Sequence, residues 1–240
     1  MTVSLLGRCP ETGMVGVVIT SSSPAVAARC AHVRPGVGAA ATQNVTDPRL
    51  GPAVLDALAA GATAETALAT VIGAAPGREY RQVTALAADG EAAAGGVAGA
   101  GGEAGAAFTG AQALGRTGDL IGPDCVAAGN LLAGEEVLAA MVAAFARGPG
   151  GHLATRLLAG LAAALEAGGE EGPVHSAGLL VAGEVAWPIV DLRVDWHDDP
   201  AGELAALWEL WRPLADDYVM RALHPDHAKP YGVAGDRATA

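Results

Sequence analysis

Thr2-Val3-Ser4-Leu5-Leu6-Gly7, followed by Arg8-Cys9-Pro10-Glu11-Thr12-Gly13 and then Met14-Val15-Gly16-Val17-Val18-Ile19-Thr20, is the stretch that decides the fold. Two β-prone apolar runs flank a segment whose proline and glycine suit a turn, so residues 2 to 20 read as an N-terminal hairpin. Removal of Met1 would leave Thr2 as the amino terminus at the head of the first strand. Such removal is generally efficient before a residue as small as threonine. A terminal threonine carries a hydroxyl nucleophile and its own base, because a free α-amine with a reference pKa of about 7.7 to 8.0 takes up the proton near neutral pH. Many chains begin Met-Thr without catalytic consequence, so the surrounding pattern has to decide.

Outward from the hairpin, Gly36 to Gln43 reads as a buried strand that delivers Thr42, Gln43 and Asn44 to an edge, and the stretch between Pro24 and Gly36 is ambiguous. Pro52 opens a helical pattern ending at Gly61, and Thr63 is placed to N-cap a second helix running to about Ile72. Arg81 to Ala87 is a strand, Asp89-Gly90 a hairpin turn with a weak strand after it, and Gly95 to Gly105 a loop. That loop's six glycines lack the spacing and the following helix of a dinucleotide fingerprint. Cys125 to Ala128 is a strand ending at Gly129-Asn130, and Glu135 to Phe145 and His152 to Ala167 are helices by their apolar spacing. Ser176 to Val181, Val185 to Val190 and an extension to Trp196 add strand, Asp199-Pro200 starts a last helix, and residues 225–240 form an irregular tail. Strands in adjacent groups separated by helix pairs do not fit a parallel doubly wound sheet. They fit an α+β four-layer αββα sandwich of two antiparallel sheets flanked by helices.

Composition narrows function. The 240 residues are 51% hydrophobic and only 4% aromatic, which suits one well-packed globular domain built on alanine, valine and leucine. A net charge of -12 with Lys229 as the single lysine excludes a phosphate-backbone partner, so no nucleic acid is expected. No apolar run is long enough to span a membrane and the start lacks the regions of a signal peptide, so the expectation is a cytoplasmic protein with no membrane partner. Cys9, Cys30 and Cys125 are odd in number and widely spaced, which predicts reduced thiols rather than disulfides or a zinc site. No cofactor is signalled.

The chain resembles the uncharacterised Ntn-hydrolase-like family catalogued as domain of unknown function 1028. The resemblance rests on Met1-Thr2 with Ser4, Pro10-Glu11-Thr12-Gly13, Ala25-Val26, Gly36-Val37-Gly38-Ala39 leading to Ala41-Thr42-Gln43, Arg81-Gln82, Gly129 to Gly134, Ser176-Ala177 and Asp191 to Asp195. It implies that residues 1–224 form a single Ntn-hydrolase-like domain, that the activity is amide-bond hydrolysis, and that Thr2 stands at the nucleophile position. Many relatives have a lysine near Ser22, where this chain has Ser21-Ser22-Ser23; Arg29 or Arg34 would replace it if either points inward. Relatives also commonly carry a basic residue and a glutamine where this chain has Gly172-Pro173-Val174-His175.

The expected chemistry is acyl transfer to water on a small amide or peptide-like substrate, with Thr2, Gln43 and Asn130 as the catalytic set. Gln43, Asn44 and Asn130 offer N–H donors for an oxyanion, each worth about 2.7 to 4 kcal/mol in a favourable geometry, while either asparagine can equally be a turn former. Ser22, Thr42, Asn44, Arg78 and Arg81 are candidate substrate contacts; the two arginines suit a carboxylate, or simply a surface ion-pair set with Glu79.

Competing readings remain open. One is a non-catalytic binding or assembly protein on the same fold. Another is a metal-dependent hydrolase using Asp195 and His197, although Arg193 between Asp191 and Asp195 favours a charge ladder over a metal site. His175 beside Ser176 lacks an orienting acid, and Cys9 lacks a basic partner in sequence. The alanine-rich helices and the tail with Tyr231 suggest a homo-oligomer.

Overall fold

A computed structural model describes residues 2–89, 104–148 and 151–233. The opening hairpin is β1 (Thr2–Cys9) and β2 (Met14–Ser21), in register from Val3 opposite Thr20 to Cys9 opposite Met14. The ambiguous stretch folds as a short helix, α1 (Val26–Cys30), entered through a left-handed Ala25, and a four-residue strand, β3 (Ala31–Arg34). β4 (Gly38–Asn44), α2 (Leu50–Ala59) and α3 (Ala64–Ala74) follow. The Thr63 hydroxyl caps α3 by accepting from Thr66 N–H at 3.1 Å, as its sequence position predicts.

Beyond a short 3-10 turn at Arg78–Tyr80 come β5 (Arg81–Ala87), β6 (Gly105–Thr109), β7 (Gly118–Gly122) and β8 (Cys125–Asn130). β7 is absent from the sequence reading, while the Asp89-Gly90 turn, the weak strand after it and most of the Gly95 to Gly105 loop lie outside the described residues. The remainder is α4 (Glu136–Arg147), α5 (Leu153–Glu166), β9 (Ser176–Ala182), β10 (Pro188–Val194), α6 (Pro200–Trp211) and α7 (Ala215–Leu223). Asp199 caps α6 through Gly202 N–H, and the C-terminal region holds two helices where the sequence suggests one. The described part of the tail, residues 225–233, carries no helix or strand.

Two antiparallel sheets result, one in the order β10-β9-β2-β1-β8-β7 and the other β3-β4-β5-β6. Side chains on a strand alternate between faces, so each sheet builds two cores. From β1, Val3 and Leu5 point to α4, α5 and α6, where Met141, Phe145, Leu157, Leu161 and Trp208 are buried. From the same strand Leu6 points into the space between the sheets, with Val15, Val17 and Ile19 of β2, Ala39 and Ala41 of β4, Leu86 of β5 and Val126 of β8. On the far side of the second sheet Ala40, Val83 and Ala85 pack on Leu50, Val54, Leu55, Leu68 and Ile72 of α2 and α3. The molecule is therefore the four-layer αββα sandwich. Small residues allow close approach of its layers: a Cβ at Gly160 of α5 would lie 2.7 Å from Leu5. All three cysteines are free and buried, and burial pushes the Cys125 thiol up to about 11. Among the described residues no helix is long and apolar enough to cross a membrane.

Candidate active site

The space between the sheets is apolar at one end and polar at the other, and β1 runs between them. Thr2 and Ser4 share the inter-sheet face of β1 with Leu6, because they lie four and two residues from it, respectively. Across the first sheet, Thr2 stands opposite Asn130 and Ser4 opposite Ala128. Directly opposed positions bring side chains to within about 4.5–5.5 Å at Cβ, so the Asn130 amide is a neighbour of the Thr2 hydroxyl. From the second sheet, Gln43 of β4 is registered with Gln82 of β5, and both face inward.

Gln82 is the hub. Its Oε1 accepts from Gln43 Nε2 at 2.8 Å and from Asn130 Nδ2 at 3.1 Å, which ties the two sheets together at this end. Its Nε2 donates to Gly129 O at 2.9 Å, Thr109 Oγ1 at 3.0 Å and Gly118 O at 3.2 Å. Sequence reading picks out Gln43 and Asn130 but assigns Gln82 no role. Strand alternation carried the signal, since Gln82 and Thr84 are the polar positions in phase with inward-facing Leu86.

Several buried polar atoms here have no hydrogen-bond partner: Ser4 Oγ, Gln43 Oε1, Thr84 Oγ1 and Asn130 Oδ1. A buried polar atom left unpaired costs about 1–3 kcal/mol. Clustering four of them in one zone marks it as a place where a polar ligand would be accommodated at a gain. Each carboxamide nitrogen also keeps a second hydrogen after its bond to Gln82, so the pair can both accept and donate.

The Thr2 hydroxyl belongs to a second chain of contacts. Its Oγ1 is 3.3 Å from Ser21 Oγ, which is 3.0 Å from Ser23 Oγ, and Arg29 Nη2 donates to Ser23 Oγ at 3.3 Å. The same guanidinium donates to Pro24 O and Ala25 O. Arg29 thus sits two serines away from Thr2, a cation relayed through hydroxyl groups. Arg34 points elsewhere and pairs with Asp56 at 2.7 Å.

The remaining candidates divide. Ser22 is half-buried within the serine run. Asn130 is a strand residue and not a turn former; the left-handed turn falls on Leu131, at φ 52. Asn44 does take the turn role, with φ 71, donating to Tyr80 O at 2.6 Å and accepting from Leu114 N–H at 3.2 Å. Arg81 donates to Val45 O, so it fastens the loop after β4. Arg78 is exposed on the 3-10 turn.

Thr42 corrects the sequence expectation. Adjacent strand residues face opposite ways, so Thr42 lies on the α2 side of the sheet, away from the inter-sheet space, where its hydroxyl donates to Asp47 O at 3.3 Å.

The competing constellations are tied up locally. Arg193 clasps Asp191 at 2.6 and 2.9 Å, one rung of the expected charge ladder. His197 Nδ1 accepts from Asp199 N–H at 3.0 Å. Among the described residues no three His, Cys, Asp or Glu side chains come together as metal ligands, so Asp195 and His197 lack the companions a metal site needs. Ser176 Oγ donates to Ser23 O and accepts from Val26 N–H, whereas His175 stacks on Trp196 at 4.3 Å, which separates that pair. Cys9 Sγ donates to Glu11 at 3.1 Å.

One residue near Thr2 has no counterpart in the sequence expectations. Glu170 is 4% exposed and joined by a single bridge to Leu132, two residues past Asn130. Burial pushes its carboxyl up to about 8, against the pull of the amino-terminal charge and of the Ser22 and Val3 backbone N–H groups. Two surface depressions lie elsewhere: one of about 430 Å³ near Arg8, Leu86 and Ile121, and one of about 300 Å³ between Val33 and Asp191. Thr2 itself is only 5% exposed.

The chain matches the model of a family of unknown function, DUF1028, over residues 2–204. It is similar to the crystal structure of protein SPO2555 from Silicibacter pomeroyi, also placed in DUF1028, with a TM-score of 0.77, 31% identity and coverage of 90% of this chain and 89% of that one. No functionally curated protein matches. The chain belongs to the DUF1028 family.

Proposed function

We propose that this DUF1028 protein is an N-terminal-nucleophile amidohydrolase that cleaves an amide bond of a small or peptide-like substrate, with Thr2 as nucleophile after removal of Met1. The observation that carries this reading is the position of Thr2. It heads β1, a central strand, opposite Asn130, at the end of the inter-sheet space where buried carboxamides keep unused hydrogen-bonding capacity. In the reaction, the Thr2 hydroxyl attacks the substrate carbonyl and its proton passes to the free α-amine. The amine returns that proton to the leaving nitrogen, and water then hydrolyses the acyl ester. Asn130 and Gln43 stabilise the oxyanion through the amide hydrogens that Gln82 leaves unused. The serine chain from Arg29 takes the place of a direct cation by polarising the Thr2 hydroxyl.

The same reading takes the substrate as a small molecule, the setting as cytoplasmic and the assembly as homo-oligomeric. No metal or other cofactor enters its steps. The slight exposure of Thr2 favours a second reading, in which the fold binds or assembles without turnover. Two measurements separate them. The intact mass of the untagged protein reports whether Met1 is gone, and an amide library is then run against wild type and Thr2→Ala. Turnover that survives in Thr2→Ala, or a fully retained Met1, sinks the nucleophile assignment.

A further inference from the structure

Glu170 is a buried acid that the reaction above leaves without a task. It reaches its place through Gly168 and Gly169, both at positive φ (109 and 59), which end α5 and turn the chain back beside β8. Ala133 N–H then donates to Gly169 O at 3.0 Å and Glu171 N–H to Leu131 O at 2.8 Å, so the backbone around Glu170 is clamped on both sides. Its carboxyl faces the backbone N–H groups of Val3 and Ser22, the residues that follow Thr2 and Ser21. Those two N–H groups draw on the carboxyl without forming a full hydrogen bond to either oxygen, although the side chain is almost wholly buried. The cations on neighbouring elements are otherwise engaged: Arg29 with Pro24 O and Ala25 O, and Arg116 with Ala133 O at 2.7 Å. An unpaired buried carboxyl is costly. One aimed at the start of β1 has a natural partner in a newly freed amine.

We propose that Glu170 is a positioning residue for the Thr2 α-amine: once Met1 is removed, its carboxyl accepts a hydrogen bond from that amine and holds the nitrogen lone pair toward Thr2 Oγ1. This rests on the assignment of Thr2 as nucleophile. In the acyl-transfer step the Oγ1–C bond forms as the hydroxyl proton moves to the amine, and the C–N bond breaks as the amine returns that proton. Glu170 takes no part in the proton transfers: burial favours its protonated form, the amino-terminal charge pulls it toward the anion, and as an anion held by the freed amine it orients the base and offsets the passing ammonium charge.

The test uses the full chain with Thr2 as its first residue, obtained by natural processing or, where Met1 is retained, released from a cleavable N-terminal fusion. The amine's reactivity toward acetic anhydride is measured against pH by mass of the N-terminal peptide. A neighbouring carboxylate raises an amine's pKa by about 1 unit or more, so the wild-type midpoint is expected above the ordinary range of about 7.7 to 8.0. Glu170→Gln, which keeps the shape and removes the charge, should lower it by about 1 unit, and Glu170→Asp should restore part of the difference. Equal midpoints in wild type and a folded Glu170→Gln overturn the proposal. Should that variant fail to fold, a wild-type midpoint within the ordinary range overturns it alone. Retention of Met1 on the naturally produced chain removes the Thr2 reading instead, and the amine titration still decides what Glu170 does.

Discussion

The two ends of the inter-sheet layer share four strands, β1, β4, β5 and β8, and differ in what those strands carry. At the apolar end Leu6, Val17, Val126, Ala39 and Leu86 fill the space with hydrocarbon. At the other end the in-phase positions are Thr2, Ser4, Gln43, Gln82, Thr84 and Asn130, all buried, with several of their polar atoms unpaired. Both ends are equally shut off from water, so burial does not separate them. What separates them is that, among the described residues, only one end leaves interactions unmade, which costs stability and which the proposed function accounts for by binding.

The sharpest break in this comparison comes from exchanging Thr2→Ala for Leu6→Ala on one strand. The first should lower amide hydrolysis by at least about 10³-fold, as loss of a nucleophile does, while leaving the thermal midpoint nearly unchanged. The second should cost about 2–5 kcal/mol in denaturant unfolding through the cavity it leaves, with activity per folded molecule retained. Equal effects on both quantities would mean that the ends are not functionally distinct.

Gln82→Leu comes next. It removes the acceptor of Gln43 and Asn130 and the donor to Gly129 O. A loss of about 1–3 kcal/mol for leaving buried partners unpaired is expected, together with reduced turnover, because both carboxamides lose their orientation. Retained turnover beside reduced stability would confine Gln82 to a structural tie between the sheets.

A smaller effect distinguishes the ends by pH. In the chain that retains Met1, before the Thr2 amine is freed to pair with it, the folded Glu170 pKa of about 8 stands above its ordinary value of 4.5. Between those values the native state holds a proton that the unfolded chain has lost, so stability from this group is fully present below the lower value and falls as pH rises through the window. For one proton the slope is about 1.4 kcal/mol per pH unit. Glu170→Gln should flatten the unfolding free energy across that window relative to wild type, while Leu6→Ala should leave the slope unaltered.

How much of this was legible follows from local physics. The hairpin of β1 and β2, the strands β5 and β9, and the caps at Thr63 and Asp199 all announce themselves by alternation or by a capping side chain next to a helical pattern. The elements missed are short or glycine-bound: α1 has five residues behind a left-handed Ala25, β3 has four, and β7 begins and ends in glycine. Propensity summed over so few residues is overridden by tertiary pairing. In the site, Thr2, Gln43 and Asn130 were readable because they end apolar strands. Glu170 was not, since Gly168-Gly169-Glu170-Glu171-Gly172 reads as a solvated acidic turn. Its burial comes from the bridge to Leu132, a contact between residues 38 positions apart along the chain.

The smallest expected effect is the most discriminating about purpose. Ser4 lies between the two ends, next in phase after Thr2 and before Leu6, fully buried and with its hydroxyl unpaired. If the polar end were merely tolerated, Ser4→Ala would remove an uncompensated polar group and stabilise the fold by up to about 1 kcal/mol, with no other consequence. If the zone exists to receive a ligand, the same substitution should still stabilise the empty protein but weaken substrate use, raising KM while kcat holds, because a contact equal in ground and transition states is lost. Stability and affinity moving in opposite directions would place the boundary between scaffold and site at residue four of the first strand. Movement in the same direction would place Ser4 with the scaffold and draw the boundary at Thr2.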